Sequence, residues 1–162
     1  MMRLVLLAPF ALTVQACALS PMYAGGGSGE IARGLADIAV APIPGKAGWL
    51  VRNELQDRLR TAEDTSARYR LDIRLDDSLE GLAVLADDTV SRERRTLRAR
   101  YQLVDAGTGE ILLDATEGTD AGIDVVSSEY ATIAAENTAL ENLSREIADR
   151  IVTRVALTLR DR

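Results

Sequence analysis

Histidine is absent from the 162 residues and cysteine occurs once. The first absence removes Ser-His-Asp and Cys-His catalytic centres, His-ligated zinc and any His-based pH switch. The second removes an internal disulfide. Aromatic side chains are scarce: beyond residue 16 there are only Tyr23, Trp49, Tyr69, Tyr101 and Tyr130, too few for a platform that stacks sugars or bases. Positive charge is in deficit, with 19 Lys and Arg against 25 Asp and Glu and a net charge of −6. A general nucleic-acid binder needs the opposite balance to neutralise phosphates, so no nucleic-acid partner is expected. Long apolar runs are missing too. The run Leu4 to Val14 is eleven residues, and a membrane-spanning helix needs about 20.

That run has Arg3 before it and Val14-Gln15-Ala16-Cys17 at its end, the layout of a secretory signal. Val14-Gln15-Ala16-Cys17 resembles the lipobox of bacterial lipoproteins. The resemblance implies that residues 1–16 are a signal peptide, that the Cys17 thiol is diacylated after export, and that the new amino terminus receives a further acyl chain such as palmitate. Two or three acyl chains anchor a protein stably where one binds only marginally. Ala18, rather than Asp, follows the cysteine, which under the best-known sorting rule of such lipoproteins implies the outer membrane. No cofactor is expected beyond the covalent lipid on Cys17.

Residues 17–34 contain Pro21, Gly25-Gly26-Gly27, Ser28 and Gly29 and read as a lipidated flexible tether. A single domain is expected over 35–162. Asp37 to Ala41 has a short strand pattern stopped by Pro42 and Pro44. Ala47 to Ala62 carries Trp49, Leu50, Val51, Leu55 and Leu59 at helical spacing. Tyr69, Leu71, Ile73 and Leu75 alternate with Arg70, Asp72, Arg74 and Asp76, a half-buried strand. After a polar stretch from Gly81 to Asp88, Leu97, Ala99, Tyr101 and Leu103 repeat the pattern. Asp105-Ala106-Gly107-Thr108-Gly109 is a hairpin turn, and Ile111, Leu113 and Ala115 open a fourth strand. From Ser127, a plausible N-cap, the period becomes helical, with Ile133, Leu140, Leu143, Ile147, Ile151, Val155 and Leu159 on one stripe and Glu141/Arg145 and Glu146/Arg150 four apart. At about 45 Å, such a helix would overhang a four-stranded sheet or bend. The fold class is α+β: a two-layer sandwich of order β-α-β-β-β-α, a mostly antiparallel four-stranded sheet with two helices on its apolar face.

Acid pairs such as Asp76-Asp77 and Asp87-Asp88 sit at strand ends, where adjacent residues face opposite ways, and do not make the paired carboxyls of a glycosidase. Asp114, Glu117, Asp120 and Asp124 do not match the EF-hand pattern, so no metal site is expected, although incidental divalent-cation binding stays open. The chain reads as no enzyme. Its sharpest feature is basic. Five arginines and one acid from Arg92 to Arg100 leave an excess of four positive charges there and of eleven negative charges in the rest of the chain beyond residue 16. Alternation turns Arg92, Arg94, Arg98 and Arg100 outward, with Arg70 and Arg74 of the preceding strand beside them. Such a ladder suits phosphates or carboxylates, and a solvated face paired to Asp72, Asp76 or Glu93 is the other reading.

Cys17-Ala18-Leu19-Ser20-Pro21-Met22-Tyr23 resembles the Cys-Gly-Phe-x-Pro-Leu-Tyr start of the lipopolysaccharide-assembly lipoproteins of the LptE type, with Ala18, Leu19 and Met22 as departures. Mature length and element order are similar too. The resemblance implies a two-layer plug inside the large outer-membrane β-barrel LptD, which it helps to assemble, and a part in carrying lipopolysaccharide to the outer leaflet and in binding it. The expected localisation is the outer membrane, lipid-anchored, with the body on the periplasmic side or in the barrel lumen. The alternative is a periplasmic transport-auxiliary or synthase-activator lipoprotein, also a small binding module on a tether.

Overall fold

The alternation at Tyr69 to Leu75 and at Leu97 to Leu103 fixes which side of the sheet is buried, and the rest of the fold follows from covering that side. The computed structural model describes residues 30–59, 67–84 and 90–161; Cys17, the signal sequence and most of the tether lie outside them. The order is α1 (Glu30–Ala36), β1 (Ile38–Val40), α2 (Gly45–Leu59), β2 (Tyr69–Val84), β3 (Val90–Asp105), β4 (Ile111–Asp124) and α3 (Glu129–Arg160). The strands form one sheet in the order β1-β2-β3-β4. β1 is parallel to β2, and the other neighbours are antiparallel. The expected α+β architecture is therefore the observed one.

Three boundaries differ from expectation. The tether was expected to run to residue 34, but the glycines stop at Gly29 and Glu30-Ile31-Ala32-Arg33 are competent helix formers. Leu35 of α1 enters the core, and Gly34 faces Leu159 near the end of α3. β2 and β3 extend well past the expected segments to 16 residues each, or roughly 53 Å. That matches the 32-residue α3, roughly 48 Å long, so the long helix lies along strands of its own length. The N-cap is Ser128, whose Oγ accepts from the Ala131 N–H. Thr132, rather than Ile133, faces the sheet. Its hydroxyl lies within hydrogen-bonding distance of the Val126 and Ser128 carbonyls.

α2 and α3 run side by side in the same direction. Lys46 Nζ donates to Asn137 Oδ1 (2.6 Å), Arg145 Nε approaches Glu54 (3.9 Å) and Arg58 Nε donates to Asp149 (2.5 Å). All three contacts join residues offset by 91, which only parallel helices in register can maintain. Arg145 thus turns to α2 instead of the expected Glu141. The pair Glu146–Arg150 forms as expected, at 2.6 Å.

Between the layers lie Leu71, Leu97, Tyr101, Leu103, Ile147, Ile151 and Val155, all fully buried. Each large apolar side chain so buried contributes about 1.5–3 kcal/mol relative to exposure. Tyr101 adds a cost as well: its hydroxyl is buried without a hydrogen-bond partner among the described residues, and burial raises its pKa to about 12. An unmade buried hydrogen bond costs about 1–3 kcal/mol. Tyr101→Phe is therefore expected to raise the urea midpoint at unchanged m, and a lowered midpoint would show that the hydroxyl is satisfied.

Candidate functional site: the outward face of the sheet

Opposite the helices, the sheet presents the alternate residues of each strand. Antiparallel register places Arg74 beside Arg100, Asp76 beside Arg98 and Glu80 beside Arg94. Across β3 on β4, Arg92 stands beside Asp124, Thr96 beside Asp120 and Gln102 beside Asp114. The six arginines expected to point outward, Arg70, Arg74, Arg92, Arg94, Arg98 and Arg100, all do so. They share the face with Asp72, Asp76, Glu80, Asp114, Asp120 and Asp124, an equal number of acids.

Most of the ladder is neutralised in place. Arg92 meets Asp124 at 3.3 Å, Arg94 meets Asp120 at 3.6 Å, and Arg70 meets Asp72 at 3.0 Å. Arg100 donates from Nε and Nη2 to both oxygens of Asp114 (3.3 and 3.1 Å), which also accepts from Gln102 at 2.8 Å. The hydrogen bonds from Arg100 and then Gln102 hold the Asp114 carboxyl below the usual carboxylate range. This bridge therefore survives acidification until that depressed value is crossed, and only below it is Arg100 released. Asp114, Asp120 and Asp124 are the partners that pattern reading missed. A register irregularity between Leu103 and Val104 shifts the β3–β4 pairing by one residue, so counting outward from the Asp105 to Gly109 turn would have turned them to the other face. That turn forms as expected, with Asp105 Oδ1 accepting from the Gly107 and Thr108 N–H groups (2.9 and 3.0 Å) and Gly109 at φ 75°.

Arg74 and Arg98 are different, since among the described residues neither has an ion-pair partner. Each lines a shallow cleft. One, of about 450 Å³, is bordered by Ala41, Pro42, Asp72, Ile73, Arg74, Arg100 and Gln102. The other, of about 250 Å³, includes Thr96, Arg98, Thr116 and Gly118. The Arg98 stem lies over Gly118 of β4, where a Cβ would be in van der Waals contact with Arg98 Cγ at 3.4 Å. Arg95, the fifth arginine of the run, belongs to the opposite face. Its Nε and Nη2 donate to Asp77 (2.8 and 2.6 Å) and its Nη1 to the Glu136 carbonyl of α3 (3.2 Å).

This arrangement can bind and orient anions. The sequence pattern of the LptE family, described as lipopolysaccharide-assembly, matches residues 35–155. The chain belongs to this family. Its fold is shared with solved structures of lipoproteins. A protein assigned as a lipoprotein from Caulobacter crescentus CB15 has 24% identity and a TM-score of 0.70, covering 82% of this chain and 97% of that one. A minor lipoprotein from Acinetobacter baumannii has 14% identity and a TM-score of 0.60, covering 75% and 92%. Rare lipoprotein B from Shewanella oneidensis has 16% identity and a TM-score of 0.53, covering 75% and 94%. No curated protein shows a significant match. The family is thus one of lipopolysaccharide assembly. Among the described residues no helix is long and apolar enough to cross a membrane.

Proposed function

We propose that this LptE-family chain is an outer-membrane lipoprotein, held by acyl chains on Cys17, whose body plugs the lumen of an LptD-type barrel, assists its assembly and takes part in delivering lipopolysaccharide to the outer leaflet. The family match over residues 35–155 carries this reading. The outward sheet face supports it physically. Barrel interiors are polar, and a face of alternating arginine and carboxylate can exchange partners with lumen side chains at small cost. Arg74 and Arg98, exposed in clefts and without ion pairs among the described residues, are the groups open to lipid A phosphates.

Two measurements test it. Detergent extraction of outer membranes should copurify the protein with a large barrel; extraction without one would remove the plug. In a lipopolysaccharide-binding assay the double variant Arg74→Ala, Arg98→Ala is expected to bind about tenfold more weakly, near 1.4 kcal/mol. Arg92→Ala and Arg94→Ala, whose charges Asp124 and Asp120 already hold, should change binding by about twofold or less. Unchanged binding in the double variant would take the ladder out of the mechanism.

A further inference from the structure

We infer that the open edge of β2 between Asp72 and Glu80 accepts an extended segment of a partner protein as an added, fifth strand. This goes beyond the function proposed above and needs no lipid. β1 pairs only with Tyr69 to Leu71. Its last bond runs from the Ala41 N–H to the Leu71 carbonyl (3.0 Å), and Pro42, without an N–H, leads the chain away. The Tyr69 N–H donates to Asp37 on the same side, so odd-numbered residues of β2 aim their backbone groups at this edge. Ile73, Leu75, Asp77 and Leu79 therefore present donors and acceptors there, and no backbone partner meets them among the described residues.

The other edge is guarded. Val125 donates to Ser91, so even-numbered residues of β4 aim outward, and Arg150 Nη1 already caps the Gly118 carbonyl there (2.6 Å). The outward carboxylates of β4, Asp114, Asp120 and Asp124, are each bridged to β3. β2 shows the reverse. Leu79 and Leu82 on the same strand are 42% and 45% exposed. An open edge with exposed apolar side chains is a pairing hazard unless something covers it. Arg74, Asp76 and Glu80 lie on its outward side without ion pairs among the described residues. The cleft beside Pro42, Ile73 and Arg74 leaves room for an arriving strand end where β1 departs.

These features specify the occupant. Strand addition takes affinity from the main chain and specificity from alternate side chains. The partner segment carries an acid opposite Arg74, bases opposite Asp76 and Glu80, and apolar residues opposite Leu75 and Leu79. The peptide Lys-Leu-Thr-Thr-Lys-Val-Glu-Val, added antiparallel to the full-length protein, is the probe, read by amide hydrogen exchange. We expect about tenfold or greater slowing at Ile73, Leu75, Asp77 and Leu79 and no change on β4. N-methylation on the peptide's β2-facing amides should abolish the effect, whereas N-methylation on its other amides should not. The charge-swapped peptide Glu-Leu-Thr-Thr-Glu-Val-Lys-Val should protect far less. No slowing at millimolar peptide, equal protection by the swapped peptide, or protection confined to β4 would overturn the proposal. So would amides already protected in a concentration-dependent way, which would assign the edge to a second copy. Binding only after removal of residues 18–29 would assign it to the chain's own N-terminal segment.

Discussion

Alanine at position 48 is expected to cost about 3 kcal/mol of stability, the upper end of what overpacking usually costs, although glycine to alanine inside a helix ordinarily gains up to about 1 kcal/mol. Gly48 lies in the first turns of α2 on its buried face. A Cβ there would stand 2.5 Å from the carbonyl oxygen of Ile43 and 2.7 Å from its carbon. Both are backbone atoms, so no side chain can rotate away. Ile43 is itself buried in the core, which prevents the segment between β1 and α2 from backing off. Urea unfolding of Gly48→Ala, compared at equal m, measures the loss. A variant as stable as the parent would mean that residues 41–45 shift freely, and would undo the account of how β1 hands the chain to α2.

Arg95→Ala is expected to cost about 2–3 kcal/mol, near the range for breaking a buried pair. Arg100→Ala, a neighbour on the same strand, should cost less than about 1 kcal/mol, as exposed ion pairs do. Both arginines pair with an aspartate through Nε and Nη2. They differ in exposure: the Arg95 side chain is 15% exposed and the Arg100 side chain 66%. Arg95 also joins three elements, β3 through its backbone, β2 through Asp77 and α3 through the Glu136 carbonyl, so its removal leaves the Asp77 carboxylate without its donor and cuts the tie to α3 at once. The bond to Asp77 raises its pKa against the opposing effect of burial. Equal losses in the two variants, read by the same unfolding titration, would show that Arg95 is only another solvated charge.

That contrast also shows what pattern reading reaches. Alternation assigned the outward arginines correctly because it depends only on a strand's own two-residue period. It was silent on Arg95, whose odd position puts it on the helix side, beyond the part of the sheet that α2 covers and within reach of the α3 backbone. The carboxylates of β4 fit no metal-ligand spacing in the sequence, and only strand pairing turns them into the counter-charges of β3. Helix α1 was hidden for a compositional reason. The glycines before it signal flexibility, and one buried leucine among its described side chains, Leu35, is too brief a pattern to read. Ile133 fitted the apolar stripe of α3, but Thr132 occupies the sheet-facing position because its hydroxyl can also bond the turn that starts the helix. Ser144, fully buried and with no partner for its Oγ among the described residues, has no account in the packing around it.

The placement of α3 governs the order in which this chain can become itself during synthesis. β2, β3 and β4 leave the ribosome before their cover does, because α3, the helix that packs on β3 and β4, follows them among the seven described elements. α2 arrives early but gains its in-register neighbour only when residues 137 to 149 follow. Domains generally fold as units as their chain appears, yet here the unit closes only at its final helix. Until then Leu97, Tyr101 and Leu103 lack the helix side chains that bury them, so a chain cut short before residue 129 is expected to stay unfolded and protease-sensitive.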